Sequence, residues 1–472
     1  MTPPSTSTLP DKTPASRREL MLAMSGVAAS AVVVAFDATI VSTSLPQVAQ
    51  ALGDIELYAW VGTGYFLASA VTILIFGRLG DLYGRKPLMM LSMAIVLIGS
   101  VLCGLSQSMQ QLIAFRVLQG LGGGMMIAST FAAPADLFPD PVRRVRWMLL
   151  TSITFAVASG LGPVIGGAVT QALGWRAAFF VTPLAALLGV ATTWRYFPWI
   201  KPVRNAVPRM DWLGSLLLAL VVGAPLVGLE LLTGRGHDGS VRLWGLALLG
   251  ITLLAGFLLI PTERRAQTPI FPLRVLQARG AHLLNLASAM SGAVMFILIF
   301  YIPLLLQDVF GFSPSHAGLL MAPLVAGTSV GSIMSGRLYP LQSEPARLMV
   351  LGSTLLGIGC AFTLTFSVSS PGWWVVLTTS LCGIGLGFLL PNYTLFMQLL
   401  APPRDVGVAS ALVQTTRALG SAFGTALVGV LIARFSINLG VTIGLVCCVV
   451  LCALTGLVCA NIRIRPPIQS HP

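Results

Sequence analysis

The chain has 472 residues, of which 56% are hydrophobic and only 9% charged, and its mean hydropathy is +0.88. Soluble domains carry roughly 25% charged residues, so the composition excludes a soluble globular protein and requires a polytopic membrane protein. The net charge of +13 does not signal nucleic acid, because the basic residues are scattered through short loops and gathered on no face or tail.

Residues 1–16 are rich in Pro, Ser and Thr, the composition of a disordered tail. Arg17 and Arg18 then precede an apolar segment of about 25 residues, whose length and acid, Asp37, suit a retained span better than a cleaved signal. A span needs about 20 mainly apolar residues. Fourteen candidates follow, centred near residues 32, 67, 97, 123, 159, 186, 221, 252, 294, 326, 357, 385, 420 and 450. With the N-terminus inside, the cytoplasmic segments hold about 22 of the 28 Lys and Arg. The outer loops hold Arg176, Arg235, Arg242 and Arg434, and Arg116 and Arg417 fall within spans. Both termini are therefore expected in the cytoplasm.

The chain echoes itself at an offset of about 260 residues. Gly77-Arg78-Leu79 returns as Gly336-Arg337-Leu338, Leu52-Gly53 as Phe310-Gly311, and Ser159-Gly160 as Leu419-Gly420. The expected fold is all-α, with 14 transmembrane helices in two six-helix pseudo-repeats and two inserted central helices. The expected boundaries are a tail over 1–19, a first half over 20–197, the insertion over 198–280, a second half over 281–461 and a tail over 462–472.

In chain order, the first chemical signal is Asp37, near the middle of span 1 in Phe36-Asp37-Ala38-Thr39-Ile40-Val41. An acid there costs about 2.5–3.5 kcal/mol and ordinarily faces a cavity or ion pathway. Arg116 in span 4 is its candidate partner; proton coupling and a purely structural pair both fit. Next comes the glycine-punctuated charged loop of residues 77–87, Gly77-Arg78-Leu79-Gly80-Asp81-Leu82-Tyr83-Gly84-Arg85-Lys86-Pro87. Its second copy keeps Gly336, Arg337 and Arg347 but has lost the pattern. Span 4 carries Arg116-x-x-Gln119-Gly120-x-Gly122-Gly123. Span 5 carries Gly160-x-Gly162-Pro163-x-x-Gly166-Gly167, where missing side chains let two backbones approach and Pro163 allows a bend.

These segments, with Leu45-Pro46 and Trp175-Arg176, resemble the major facilitator superfamily, specifically its fourteen-helix drug:proton antiporter branch. The resemblance is good over the first half and poor over the second. It implies a secondary transporter. Gly77, Asp81, Gly84 and Arg85 would form a cytoplasmic gate, with Asp81 docking on the helix after Pro402-Pro403-Arg404-Asp405. Loop charges that only set topology are the plain alternative. Gly160, Gly162, Pro163, Gly166 and Gly167 would be a hinge or proton seal, or simply tight packing. A substrate cavity between the halves would draw on Phe36, Tyr65, Met125, Met126, Phe155, Met295, Phe296, Tyr301, Tyr393, Met397, Gln398 and Gln414. Aromatic faces and thioethers there suit flat lipophilic cations. Three further acids are candidates: Glu230 at a rim, Asp308 at the outer end of span 9, and Asp136 in the loop beside Arg143 and Arg144.

No phosphate-binding Gly-x-x-x-x-Gly-Lys-Ser/Thr loop occurs, His237, His282, His316 and His471 are scattered, and the seven cysteines lack metal-site spacing. The expectation is a monomeric bacterial inner-membrane exporter of lipophilic, often cationic drugs in exchange for protons. It is no enzyme and has no cofactor, metal or nucleic-acid partner. The nearest rival is a same-fold exporter of one metabolite, such as an amino acid, siderophore, sugar or peptide; a receptor or scaffold without transport is a remote one.

Overall fold

Lipid offers no hydrogen-bond partners, so a chain this apolar must satisfy its backbone internally, and helices do so segment by segment. The structure, a computed structural model, describes residues 17–53, 57–138, 141–199, 211–233, 239–266, 280–339, 344, 346–401 and 406–462. In chain order these form α1 (Arg17–Thr39), α2 (Val41–Leu52), α3 (Tyr58–Tyr83), α4 (Arg85–Leu105), α5 (Met109–Leu137), α6 (Pro141–Leu173) and α7 (Trp175–Tyr196). The chain continues through α8 (Trp212–Thr233), α9 (Gly239–Arg265), α10 (Ala281–Leu304), α11 (Pro314–Leu338), α12 (Ala346–Thr363), α13 (Gly372–Leu400), α14 (Val406–Arg434) and α15 (Ile437–Ala460). A π-helical turn, Leu305–Val309, closes α10.

Among the described residues, 13 stretches are long and apolar enough to cross a membrane, the first running through α1 and α2 together. The fourteenth crossing is α8, a helix of 22 residues whose apolar run, Trp212–Pro225, is shorter. An even number of crossings returns the chain to the end of the bundle where it began. That end is called here the terminal end, and its opposite the far end.

The packing repeats. In the first half α3 lies on α5, α5 on α4, α4 on α7, and α1 on both α6 and α7. In the second half α11 lies on α13, α13 on α12, α12 on α15, and α10 on both α14 and α15. Each pairing in one half has its counterpart eight spans later in the other. The halves meet through α6 against α11 and α3 against α14, two contacts that exchange under the same shift. The architecture is therefore two six-helix pseudo-repeats about a twofold axis. The inserted α8 and α9 form a hairpin in which α8 leans on both α3 and α14, across the seam between the halves. Its outer member faces away from protein: 11% of the apolar window of α9 is buried, against 83% for α10.

The repeat is also written in glycine. Gly162 and Gly166 of α6 face the α1–α2 junction, where a side chain on either would run into Thr39 or the Ile40 carbonyl. Gly420 and Gly424 of α14 face α10, where side chains would meet Ala289 and Ala293. Both are Gly-x-x-x-Gly pairs, the spacing that lets membrane helices touch backbone to backbone. In packing terms Gly420 thus answers Gly162, two residues away from the Gly160 match suggested by sequence. Gly420→Val is expected to force α14 off α10 and lower stability by about 1–3 kcal/mol, the usual scale of overpacking. A melting series followed by size-exclusion chromatography checks this, and an unchanged midpoint contradicts it.

Candidate functional site

Asp37 is fully buried in α1, three residues before the helix breaks at Ile40. Its Oδ1 accepts a hydrogen bond from Gln119 Nε2 of α5. Gln119 Oε1 in turn accepts from Arg116 Nη1 at 2.9 Å, and the same nitrogen donates to the Asp37 carbonyl at 3.2 Å. Arg116 Nε donates to the Val61 carbonyl of α3 at 3.3 Å, and its guanidinium lies over the Tyr65 ring, 4.3 Å from the centroid. Acid and base are thus brought together, but through an amide and a carbonyl. The bridging role of Gln119 was missed in the sequence, although its i, i+3 spacing from Arg116 puts both on one helix face.

The motif's glycines explain how the network closes. A side chain at Gly120 would meet the Tyr65 backbone, and one at Gly123 its hydroxyl, so α5 can lie against α3 only without them. Polar capacity is left over inside: Asp37 Oδ2, Tyr65 Oη and Arg116 Nη2 are sealed from the surface with no hydrogen-bond partner. A buried carboxylate oxygen without a donor is under-satisfied as an anion and has room for a proton.

At the terminal end, the charged loop pins the first half together. Gly84 joins α3 to α4 at φ 88°, in the left-handed region that glycine enters without strain. Arg85 Nε pairs with Asp136 Oδ2 at the end of α5. Asp136 thus pairs with the loop's Arg85; the side chains of Arg143 and Arg144, beside which it was expected, lie outside the described residues. Lys86 Nζ donates to the Trp194 and Phe197 carbonyls at 2.8 and 2.7 Å, where α7 ends and its carbonyls lack helical partners. Gly77 faces Ala411 of α14, across the seam. The Asp81 side chain and residues 402–405, its expected dock, lie outside the described residues, as does the Glu230 side chain. In the second copy, Arg347 pairs locally with Glu344, at 2.7 Å and in an exposed position.

Far-end contacts close the other side. Gly160 and Gly167 press on Val325 and Pro314 of α11, and Gly318 presses on the Pro163 carbonyl. Among the described residues, four hydrogen bonds cross between the halves, all in the far half of the bundle. They are Gln50 to Asp308 Oδ1 (3.2 Å), Gln307 to the Thr43 carbonyl (3.1 Å), Tyr58 to the Phe300 carbonyl (3.3 Å) and Thr63 with Thr425 (2.9 Å). Asp308 is thus a cross-half contact.

The other cavity candidates divide. Phe296 packs on Phe66 across the seam with centroids 4.0 Å apart, and Phe155 on Phe131 within the first half. Tyr301 donates to the Thr425 carbonyl at 2.6 Å, Tyr393 shares a hydrogen bond with Ser291, and Gln398 donates to Ser410, so these three hold the second half together. Met125, Met126 and Met397 are buried, and Phe36 and Met295 are half-buried. Gln414 is buried with its Oε1 unpartnered.

The comparisons agree with this architecture. The family model described as Major Facilitator Superfamily matches residues 27–425, and the chain belongs to that family of membrane transporters. It is 28% identical over 423 residues to Multidrug resistance protein 3 of Bacillus subtilis, covering 89% of this chain and 81% of that protein. It is also 28% identical to the Multidrug transporter protein MdtP of Bacillus subtilis, over 86% of this chain and 74% of that one. A solved auto-inhibited POT family peptide transporter shares the fold, with TM-score 0.70 and 16% identity over 96% of this chain and 99% of that one.

Lys86→Met removes the donor from two carbonyls at the end of α7. The expected loss is roughly 1–3 kcal/mol, the scale for orphaned buried polar groups. It should appear as a lower melting midpoint for Lys86→Met than for Lys86→Arg; equal midpoints would contradict the assigned capping role.

Proposed function

We propose that this protein exports lipophilic compounds, organic cations among them, in exchange for protons by alternating access. It would do so as a monomer in a bacterial inner membrane, with the terminal end in the cytoplasm and residues 20–197 and 281–461 as the rocking halves around the 198–280 insertion. One observation carries the reading: a fully buried carboxyl, Asp37, with one oxygen free of donors and the other tied through Gln119 to Arg116. The multidrug names of the relatives supply the cargo class.

A group whose protonation depends on access and neighbours is what coupling needs. With the proton absent, the carboxylate holds Gln119, and Gln119 holds the Arg116 guanidinium away from Oδ2. A proton that reaches Asp37 from outside while the far end stands open neutralises it, weakens the charge-assisted bond to Gln119, and leaves the α1–α2 junction free to shift against Gly162 and Gly166. Loss of the proton to the cytoplasm resets the network. Exchange of one proton for one monovalent cation is electroneutral, and a second proton would add about 2.3 kcal/mol per 100 mV. The four far-end bonds would be the outer gate, and Gly77, Asp81, Gly84 and Arg85 the inner one.

The test is ethidium flux in proteoliposomes under an imposed ΔpH. Wild type is expected to show proton-driven flux, and Asp37→Asn to lose it while eluting as a folded monomer. Mutant flux equal to wild type would remove Asp37 from the coupling step, and no wild-type flux would favour a narrow metabolite exporter. A second test bridges the outer gate. Disulfide formation in Gln50→Cys/Asp308→Cys should arrest flux and reduction should restore it; full flux in the oxidised protein would contradict the gate.

A further inference from the structure

Arg417 stands near the middle of α14, where a membrane-embedded cation is expensive and is ordinarily paired. It shares a helix face with Ser421, Gly424 and Val428, which are buried, and not with Phe423, which is exposed on the outer face of the bundle. Its aliphatic stem crosses Gly292 of α10, where a Cβ would come within 2.9 Å of Arg417 Cγ; the missing side chain is the space the stem occupies.

Nothing in the described protein neutralises it. Arg417 is half-buried and makes no hydrogen bond or ion pair among the described residues. Burial is incomplete: the Arg417 side chain keeps part of its surface uncovered by its neighbours. The nearby polar groups of α10 are already committed: Asn285 bonds to the Ala281 carbonyl and Thr416, and Ser288 to the Val413 carbonyl. Asp37 is engaged through Oδ1 by Gln119 in the network around Arg116, and Asp308 bonds to Gln50. Asp81 lies beyond Gly77, which faces Ala411, so at 1.5 Å rise per residue it sits about 15 Å along the seam from Arg417. Gln414, one turn away on the same side of α14, has a buried Oε1 without a partner.

Arg417 is therefore a half-buried cation within a span that no described group neutralises. A guanidinium presents a planar fork that matches carboxylate and sulfonate oxygens two at a time. We propose that Arg417 contacts the cargo and recognises an anionic group on it, so that the exported compounds include amphiphilic organic carboxylates and sulfonates. This rests on the export reading above and names a substrate class for it. An anion leaving as a proton enters moves two charges in the favourable sense, so its export should respond to membrane potential where one-for-one cation exchange does not.

The experiment compares fluorescein, cholate and ethidium flux in proteoliposomes for wild type, Arg417→Gln and Arg417→Lys, under ΔpH with and without a potassium-diffusion potential. Wild type is expected to move both anions, faster with an inside-negative potential. Arg417→Gln should lose at least tenfold in anion flux while ethidium flux holds or rises, and Arg417→Lys should recover part of the anion flux. Wild-type ethidium flux without anion flux would overturn the proposal and leave the export reading standing, as would an Arg417→Gln variant that loses all three probes alike. Anion flux that depends on Arg417 but ignores ΔpH would keep the anion site and count against proton exchange.

Discussion

The bilayer core has no water to solvate a carboxylate or a guanidinium, and the first half of this protein is arranged around meeting that requirement for Asp37 and Arg116. Four helices contribute. α1 brings the acid, α5 the base and the amide between them, α3 the Val61 carbonyl and the Tyr65 ring, and α4 the Cys103 thiol, which donates to Gln119 Oε1 at 3.4 Å. Glycine makes the convergence possible: a side chain at Gly120 would hold α3 away, and one at Gly99 would meet the Gln119 backbone. Asp37 Oδ2 is left without a formed hydrogen bond, beside the equally unpartnered Tyr65 hydroxyl, and that loose end is the feature on which the proposed coupling turns.

The same acid stands close to the contacts that hold the far end shut. Three residues after Asp37 the helix breaks at Ile40, and Thr39 and Ile40 bear directly on Gly162 and Gly166 of α6. Thr43 donates to the Pro163 carbonyl at 3.0 Å, while its own carbonyl accepts from Gln307 of the other half. Thus one turn and a half of chain connects the buried carboxyl, the glycine-lined face of α6 and a cross-half bond. The other glycine face of α6, Gly160 and Gly167, rests on α11. In the proposed cycle packing and gating would be one structural role, because the helix that would move is held by glycine-lined contacts on both faces.

Much of this was legible in sequence. Apolar run lengths fixed the spans, because the bilayer sets one thickness for all of them. The glycine spacings showed where helices would touch, and Asp37 announced itself as an acid in a place where acids are expensive. What stayed hidden were relations across long separations. Gln119 was visible only as a motif letter until the fold put it between Asp37 and Arg116. Asp136 looked like a loop residue because its partner, Arg85, is 51 positions away. Lys86 read as a topology charge, yet it caps α7 more than 100 residues downstream, at a separation of 108 from Trp194. The hydroxyl partners of Tyr301 and Tyr393 were hidden too, because residue type alone cannot tell whether a hydroxyl is already bonded. The charge pattern placed Arg417 within a span, but only the absence of a partner around it gave it chemical meaning.

The central claim is that protonation of Asp37 releases the far-end closure. Spin labels at the exposed Ala51 and His316, one on each half at that end, would report the separation by double electron–electron resonance across a pH series. The account predicts a closed, short distance at high pH that lengthens as pH falls, and an Asp37→Asn protein fixed in the low-pH distribution at every pH. An Asp37→Asn protein that titrates as the wild type does would contradict it.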